Sequence, residues 1–381
     1  MNRDICTDAL LAGALLRPPW VHQAFRKVNR EDFVPDTVWL PAKDPEGNWE
    51  FVDRAADAEK WRQAVWNPYQ SVVTQLDDGA VPRSGPSAGD FTSSVSALDI
   101  VMRKLGHLDL QEGHRVLEIG YASGYHTALL CERVTSSNVT AVEVDESLAA
   151  WGESHLKQAG YSPHLICGDG LQGAPSRAPF DRIINTASLR RVPVEWVEQA
   201  APGAVVLTPF GTAYNNTGLL RLAVDSGSVA EGYFVGQASY MWIRGERPAV
   251  DLQVPQESTA RRSPVAPEAV LEVDDAHAFA IGLQVPDVSY SFRGEGQERR
   301  VQFVDEAGTS ATIVRYADWW KRDAVRSWGP RDLWAEVTAA YTWYEEQGRP
   351  HITRFGVTVD RNGQRVWLDN PGNPVGWSAS P

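Results

Sequence analysis

A chain of 381 residues is longer than one ordinary core and calls for about two domains. Hydrophobic residues make up 43% and charged residues 22%, a globular balance that excludes an intrinsically disordered chain. The net charge of −13 opposes polyphosphate ligands at long range, so nucleic acid is not an expected partner.

The chain opens with Arg3, Asp4 and Asp8 and no long apolar block, so no secretory signal is predicted. No apolar run is long enough to span a membrane. Cys6, Cys131 and Cys167 lie too far apart for a disulfide framework or a Cys-x-x-Cys metal knuckle, and a reducing, cytoplasmic setting is expected. Ala9, Leu10, Ala12, Leu15 and Leu16 predict one amphipathic helix, and Val21, Ala24, Phe25 and Val28 a second, with Pro35 stopping further helix. Residues 77–89, punctuated by Gly79, Pro82, Gly85, Pro86 and Gly89, read as a long loop. Residues 1–90 are therefore expected to be a helical and loop segment.

From 91 to 250 the pattern changes. Strands are predicted at 115–120, 139–145, 164–169, 181–187 and 204–210, with helices such as 124–133 and 146–159 between them. Such alternation predicts an α/β fold, a largely parallel sheet with helices on both faces. Residues 219–225 and 240–244 look like further strands with no intervening helix, and antiparallel edge pairing is expected there. Residues 251–268, with their prolines and few aliphatics, read as a linker. The stretch 269–381 holds Trp319, Trp320, Trp328, Trp334, Trp343, Trp367 and Trp377. A helix opened by Pro330 and carried by Leu333, Val337, Tyr341 and Tyr344 is predicted, flanked by hairpins across 305–308 and 360–363. This is a small α+β domain whose tryptophans read mainly as core.

The strongest chemical signal is Leu117-Glu118-Ile119-Gly120-Tyr121-Ala122-Ser123-Gly124-Tyr125, an apolar strand entering a glycine turn and then a helix. Glycine at such a turn lets the backbone bend tightly and lets a nucleotide approach without a Cβ clash. Glu118, Gly120, Tyr121, Ala122 and Gly124 are thus candidate cofactor-binding residues. Glu143 and Val144 end the next strand, where a carboxylate accepts the hydroxyl protons of an adenosine ribose. Asp169 and Gly170 close the third strand, where Asp169 can accept from an adenine amino group. Dinucleotide-binding folds share the first two features. The Gly168-Asp169-Gly170 end, followed by Phe180-Asp-Arg-Ile-Ile184, points instead to S-adenosyl-L-methionine. The eight histidines show no ligand pairing, so no metal is expected.

Taken together, Asn29-Arg-Glu-Asp-Phe-Val-Pro35, Thr92-Ser-Ser-Val-Ser-Ala97, the glycine turn, Val142-Glu-Val-Asp145, Gly168-Asp-Gly170 and Pro202-Gly-Ala204 resemble protein L-isoaspartyl O-methyltransferases over roughly residues 20–245. The resemblance implies a Rossmann-like core dependent on S-adenosyl-L-methionine, giving S-adenosyl-L-homocysteine as product, that esterifies a peptide carboxylate. It places Ser96 at the acceptor as the catalytic serine, with Ser93 and Ser94 as neighbouring substrate-binding residues. Leu98 stands where that family carries proline. Val73-Thr-Gln-Leu-Asp-Asp-Gly79, Gly329-Pro-Arg-Asp-Leu-Trp334 and Val366-Trp-Leu-Asp369 further resemble the members encoded with ribosomal peptide natural products such as lanthipeptides, lasso peptides and graspetides. That implies methylation of an aspartate in a modified, macrocyclic precursor peptide and closure of the ester to a succinimide (aspartimide), with 269–381 as the peptide-recognition domain. General repair of isoaspartate in damaged proteins is the alternative. An anionic acceptor needs no general base, so the lack of an acid–base pair is expected.

Overall fold

The computed structural model describes residues 2–226, 229–247 and 256–379. The chain divides into two compact units. One comprises Met1–Ala187, Glu195–Leu207 and Ala223–Ser228, and the other Ser188–Val194, Thr208–Leu222 and Val229–Pro381.

The first unit begins with α1 (Arg3–Ala12) and α2 (Pro19–Lys27). The Asn2 side chain caps α1 by accepting from the Ile5 N–H, and Pro19 opens α2 where an N–H would have no helical partner. There follow β1 (Thr37–Lys43), β2 (Trp49–Asp53), α3 (Ala58–Val65), β3 (Val72–Leu76), β4 (Phe91–Val95) and α4 (Leu98–His107). The four strands form an antiparallel sheet in the order β2-β1-β3-β4. Residues 1–90 are thus not only helix and loop. Pairing of β3 with β4 is separated by the whole 77–90 loop, so no local period reveals it. The loop itself is pinned. Asp77 and Asp90 exchange backbone and side-chain bonds at 2.9 and 2.6 Å, and the Trp39 and Trp49 indoles donate to the Gly85 and Gly89 carbonyls.

The alternating region follows as expected: β5 (Val116–Ile119), α5 (Tyr125–Val134), β6 (Val139–Glu143), α6 (Glu146–Gln158), β7 (His164–Cys167), β8 (Phe180–Asn185), α7 (Val194–Glu198) and β9 (Ala200–Phe210). All pairings among β9-β8-β5-β6-β7 are parallel. Strand order reverses at β5, with β6 on one side and β8 on the other. That reversal opens a crevice beyond the carboxyl ends of the strands, the usual ligand position in such sheets.

In the second unit come β10 (Gly218–Val224), β11 (Ala230–Gln237), β12 (Ser258–Arg261), α8 (Pro267–Leu271), α9 (Asp275–Gly282), β13 (Val288–Arg293), β14 (Arg300–Asp305), β15 (Ala311–Arg315), β16 (Val325–Trp328), α10 (Leu333–Glu346), β17 (Phe355–Asp360), β18 (Gly363–Leu368) and β19 (Pro374–Ala379). β11, β17, β18 and β19 pair antiparallel in that order, and β12-β16-β15-β14-β13 form a separate antiparallel sheet. Leu333, Trp334 and Val337 of α10 pack with Val301, Phe303, Val314 and Val325 of that sheet. Both predicted hairpins are present. Trp334 and Trp367 are buried, as the core reading expects, whereas Trp319, Trp328 and Trp343 are half-buried and Trp320 is exposed.

Four expectations are corrected here. Residues 240–244 form no strand with an antiparallel edge partner but only an isolated parallel bridge from Trp242 to Ser188, and the strand lies earlier, at β11. The long helix starts at Leu333 and not at Pro330, because Asp332 caps it by accepting from the Ala335 N–H. Of the expected linker 251–268, residues 251–255 lie outside the described residues, whereas Ser258–Arg261 pairs with β16 and Pro267 opens α8. The boundary drawn at 250 also moves, since the second unit already includes Ser188–Val194 and Thr208–Leu222.

Candidate active site

The glycine turn sits between β5 and α5. Gly120 has φ +83° and Gly124 φ +82°, backbone that only glycine adopts without strain. A Cβ at Gly120 would stand 2.5 Å from the Thr186 hydroxyl, and one at Gly124 would stand 2.7 Å from Leu156. Ala122 holds φ +37° with a side chain, and its N–H donates to Glu143 Oε2 at 3.0 Å. The other Glu143 oxygen accepts from the Asp145 N–H at 3.1 Å.

Glu143 is 7% exposed at the end of β6. Burial pushes its carboxyl above the usual carboxylate range, while the backbone N–H donors of Asp145, Ala122 and Val144 oppose that shift. These backbone donors do not exhaust the roughly four acceptor positions of a carboxylate, which leaves capacity for a ribose hydroxyl. Val144 beside it is 43% exposed, an apolar surface suited to a purine face. Asp169 is exposed, with one oxygen accepting from the Leu171 N–H and the second available at the end of β7. Gly170 is buried, and a Cβ there would meet Ile119 at 2.4 Å, so glycine lets the corner pack against β5.

Two candidate side chains turn away from this surface. Tyr121 packs against Ala141 and Ala149, with its hydroxyl donating to the Ala149 carbonyl, so only its backbone contributes to the turn. Glu118 is fully buried beneath the turn, with Oε1 at 2.8 Å from His126 Nδ1 and Oε2 with no partner among the described residues. Lys104 donates to the Asn185 carbonyl in the same region, and burial pushes its ammonium down to about 7, with the Glu118 charge opposing the shift. An orphaned buried acceptor such as Oε2 is what an ordered water would satisfy.

The serine strand is organised by strand periodicity. Ser93 faces the sheet interior, 3% exposed, and accepts from the Thr74 hydroxyl at 3.2 Å. In this structure its hydroxyl is thus turned to Thr74, unlike those of Ser94 and Ser96. Ser94, in β4, and Ser96, just past its end, are half-buried. Neither hydroxyl has a partner among the described residues. Arg30, fully buried, donates to the Val95 carbonyl at 3.2 Å and so holds the backbone between them.

Sequence reasoning missed the link between the two halves of the site. The Thr92 hydroxyl donates to Gln75 Oε1 at 3.1 Å, Gln75 Nε2 donates to Asp145 Oδ2 at 3.1 Å, and Asp145 Oδ1 accepts from Ser147 and Leu148 at the start of α6. Asp145 also presents its N–H to Glu143. A continuous relay therefore runs from Glu143 to the serine strand. Gly152 was also missed. A Cβ there would stand 2.1 Å from the Ala122 carbonyl, so glycine lets α6 lie against the turn. Among the described residues, no group of histidine, cysteine, aspartate or glutamate could hold a metal ion, and no helix is long and apolar enough to cross a membrane.

The parallel sheet with its order reversal, the glycine turn, the strand-end Glu143 and the Gly168-Asp169-Gly170 corner define a Rossmann-like methyltransferase fold, and these residues fit S-adenosyl-L-methionine. Residues 53–235 match the family described as Protein-L-isoaspartate(D-aspartate) O-methyltransferase (PCMT). The Methanosarcina mazei protein-L-isoaspartate O-methyltransferase is 37% identical over 171 residues, covering 44% of this chain and 70% of that protein. The Aeropyrum pernix protein of the same name is 41% identical over 122 residues, 31% of this chain, and the match spans about half of that relative, 47%. A solved protein-L-isoaspartate O-methyltransferase superposes with TM-score 0.50 at 16% identity, covering 97% of this chain and all of the other, which concerns the fold alone. The chain belongs to the protein-L-isoaspartate O-methyltransferase family.

Proposed function

We propose that this protein esterifies an aspartate side-chain carboxylate in a ribosomally synthesised, post-translationally modified and macrocyclic peptide, using S-adenosyl-L-methionine. The observation that carries the transfer reading is the Thr92–Gln75–Asp145–Glu143 relay, which couples the cofactor crevice to β4, with Ser94 in the strand and Ser96 just past its end. Glu143 and Asp169 would hold the adenosine, with Val144 against the purine and the backbone of 120–124 under the rest. When bound, the cofactor supplies an electrophilic methyl group on sulfonium. The acceptor carboxylate is already anionic near neutral pH, so the protein has only to orient it. Ser96 donates its hydroxyl proton to one acceptor oxygen, leaving the other free to react. Arg30 and α4 fix the backbone that carries Ser96. Much of the rate then comes from alignment at near-attack distance.

The resulting ester is open to attack by the next backbone nitrogen of the peptide. That N–C bond forms, the ester C–O bond breaks, and the nitrogen's proton leaves with methoxide as methanol, giving a succinimide. The second unit supports a modified peptide as substrate, because residues 236–381 lie beyond the family match and carry most of an additional aromatic-rich fold. Repair of isoaspartyl residues in damaged proteins is the second reading, favoured by the fact that the relay and the serine strand fall wholly inside 53–235.

Mass spectrometry separates the two. With a macrocyclic precursor, the peptide should gain the mass of one methylene and then fall to the mass of the starting peptide less one water. A linear isoaspartyl hexapeptide turned over faster than any macrocyclic precursor would favour repair instead.

A further inference from the structure

The second unit contains a cavity of about 400 Å³ lined by Arg190, Arg191, Arg247, Glu246, Asp287 and Glu306 among others. Its acidic members are already engaged. Glu246 accepts from the Arg190 backbone N–H at 2.6 Å. Asp287 is gripped by Arg331 at 2.5 and 3.2 Å. Glu306 pairs with Nη1 of Arg190.

That pairing leaves the rest of the Arg190 guanidinium in an unusual state. Nε and Nη2 are buried and have no acceptor among the described residues. These two nitrogens are the ones whose N–H bonds run parallel, the side-on fork that matches the two oxygens of a carboxylate. The Trp242 ring lies over the guanidinium, 5.0 Å from its centre, covering a face and leaving the edge for hydrogen bonding. Buried donors without acceptors are costly, and an incoming carboxylate satisfies both at once. Arg191 and Arg247 add positive charge at the same cavity.

We propose that this cavity binds a carboxylate of the acceptor peptide other than the one methylated, received side-on by Nε and Nη2 of Arg190. The proposal rests on the reading of the protein as a peptide methyltransferase. It gives the second unit a definite task, selection of acidic peptides through one bidentate contact. Two sources share this chemistry, an aspartate or glutamate side chain and a peptide C-terminus.

The test is calorimetric titration of the full chain, without cofactor, with four probes. N-acetyl-triglutamate amide carries only side-chain carboxylates, triglycine only a C-terminal one, N-acetyl-triglutamine amide neither, and inorganic phosphate a different anion. One or both carboxylate probes should bind and the glutamine probe should not; the probe that binds identifies the source. Arg190→Lys keeps the charge but loses the fork, and should weaken binding roughly ten- to a hundredfold. Glu306→Gln leaves the fork intact and removes a repelling charge, so affinity should hold or rise. Binding of phosphate alone, equal affinity of Arg190→Lys and wild type, or loss of binding in Glu306→Gln would each overturn the proposal. Methanol release measured on the same wild-type sample keeps the two ideas separate. Carboxylate binding without methanol release ends the proposed reaction but not the subsite, whereas release without carboxylate binding ends the subsite alone.

Discussion

Replacing Gly152 by alanine tests how the cofactor turn is supported. The new Cβ would lie 2.1 Å from the Ala122 carbonyl oxygen and 3.1 Å from the Tyr121 ring. Since such contacts do not fall below 3.0 Å, α6 and the turn must separate by close to 1 Å. Neither partner yields easily. Ala122 is already at φ +37°, and Tyr121 is packed between β6 and α6. Alanine in a helix interior gains about 1 kcal/mol over glycine, whereas overpacking costs about 1–3 kcal/mol. The expected net is a loss of about 1 kcal/mol in unfolding free energy. The larger effect falls on the ligand. Moving the turn by that distance stretches the 3.0 Å bond that fixes Glu143 beneath it, and a misplacement of about 1 Å between the turn and the carboxylate proposed to receive the ribose should cost about tenfold in affinity. Denaturant unfolding and calorimetric titration with S-adenosyl-L-homocysteine measure the two effects. A variant with wild-type affinity and an unchanged or raised midpoint would refute the close-approach argument.

Other consequences follow from the same geometry. Gln75→Leu removes the donor to Asp145 Oδ2 and the acceptor of the Thr92 hydroxyl proton, and should cost about 1–3 kcal/mol of stability together with a drop in kcat/KM for methyl transfer; wild-type values for both would disprove the relay. Ser96→Ala should slow methanol release about ten- to a hundredfold with homocysteine-product affinity unchanged, whereas Ser93→Ala should leave the peptide KM alone; the reverse pattern would return Ser93 to the substrate. Burial depresses the Lys104 ammonium to about 7 from roughly 10.4 in the unfolded chain, so between those pH values the unfolded state binds the extra proton. Lys104 therefore makes stability rise with pH across that window, and relative to Lys104→Met the wild type should gain on the order of 4 kcal/mol between pH 7 and 10. A stability difference between the two that does not vary with pH would show that the lysine is not desolvated.

The alternating parallel core was legible in the sequence, as was the part of the candidate site built from consecutive residues. Gly120 to Gly124, Glu143 and Gly168 to Gly170 are local devices, each a strand end and the turn after it, so chain order suffices to find them. The hairpins at 305–308 and 360–363 are legible for the same reason. Tertiary structure alone decided whatever depends on segments remote in the chain. The β2-β1-β3-β4 sheet joins strands across long loops, Gln75 meets Asp145 across 70 residues, and Gly152 matters only because α6 passes the Ala122 carbonyl. Orientation was also decided there. Strand alternation turns Ser93 inward toward Thr74, and packing carries Tyr121 and Glu118 beneath the turn that their neighbours form. A residue's type announces what chemistry it can do, but which face it presents is set by the partners that folding brings to it.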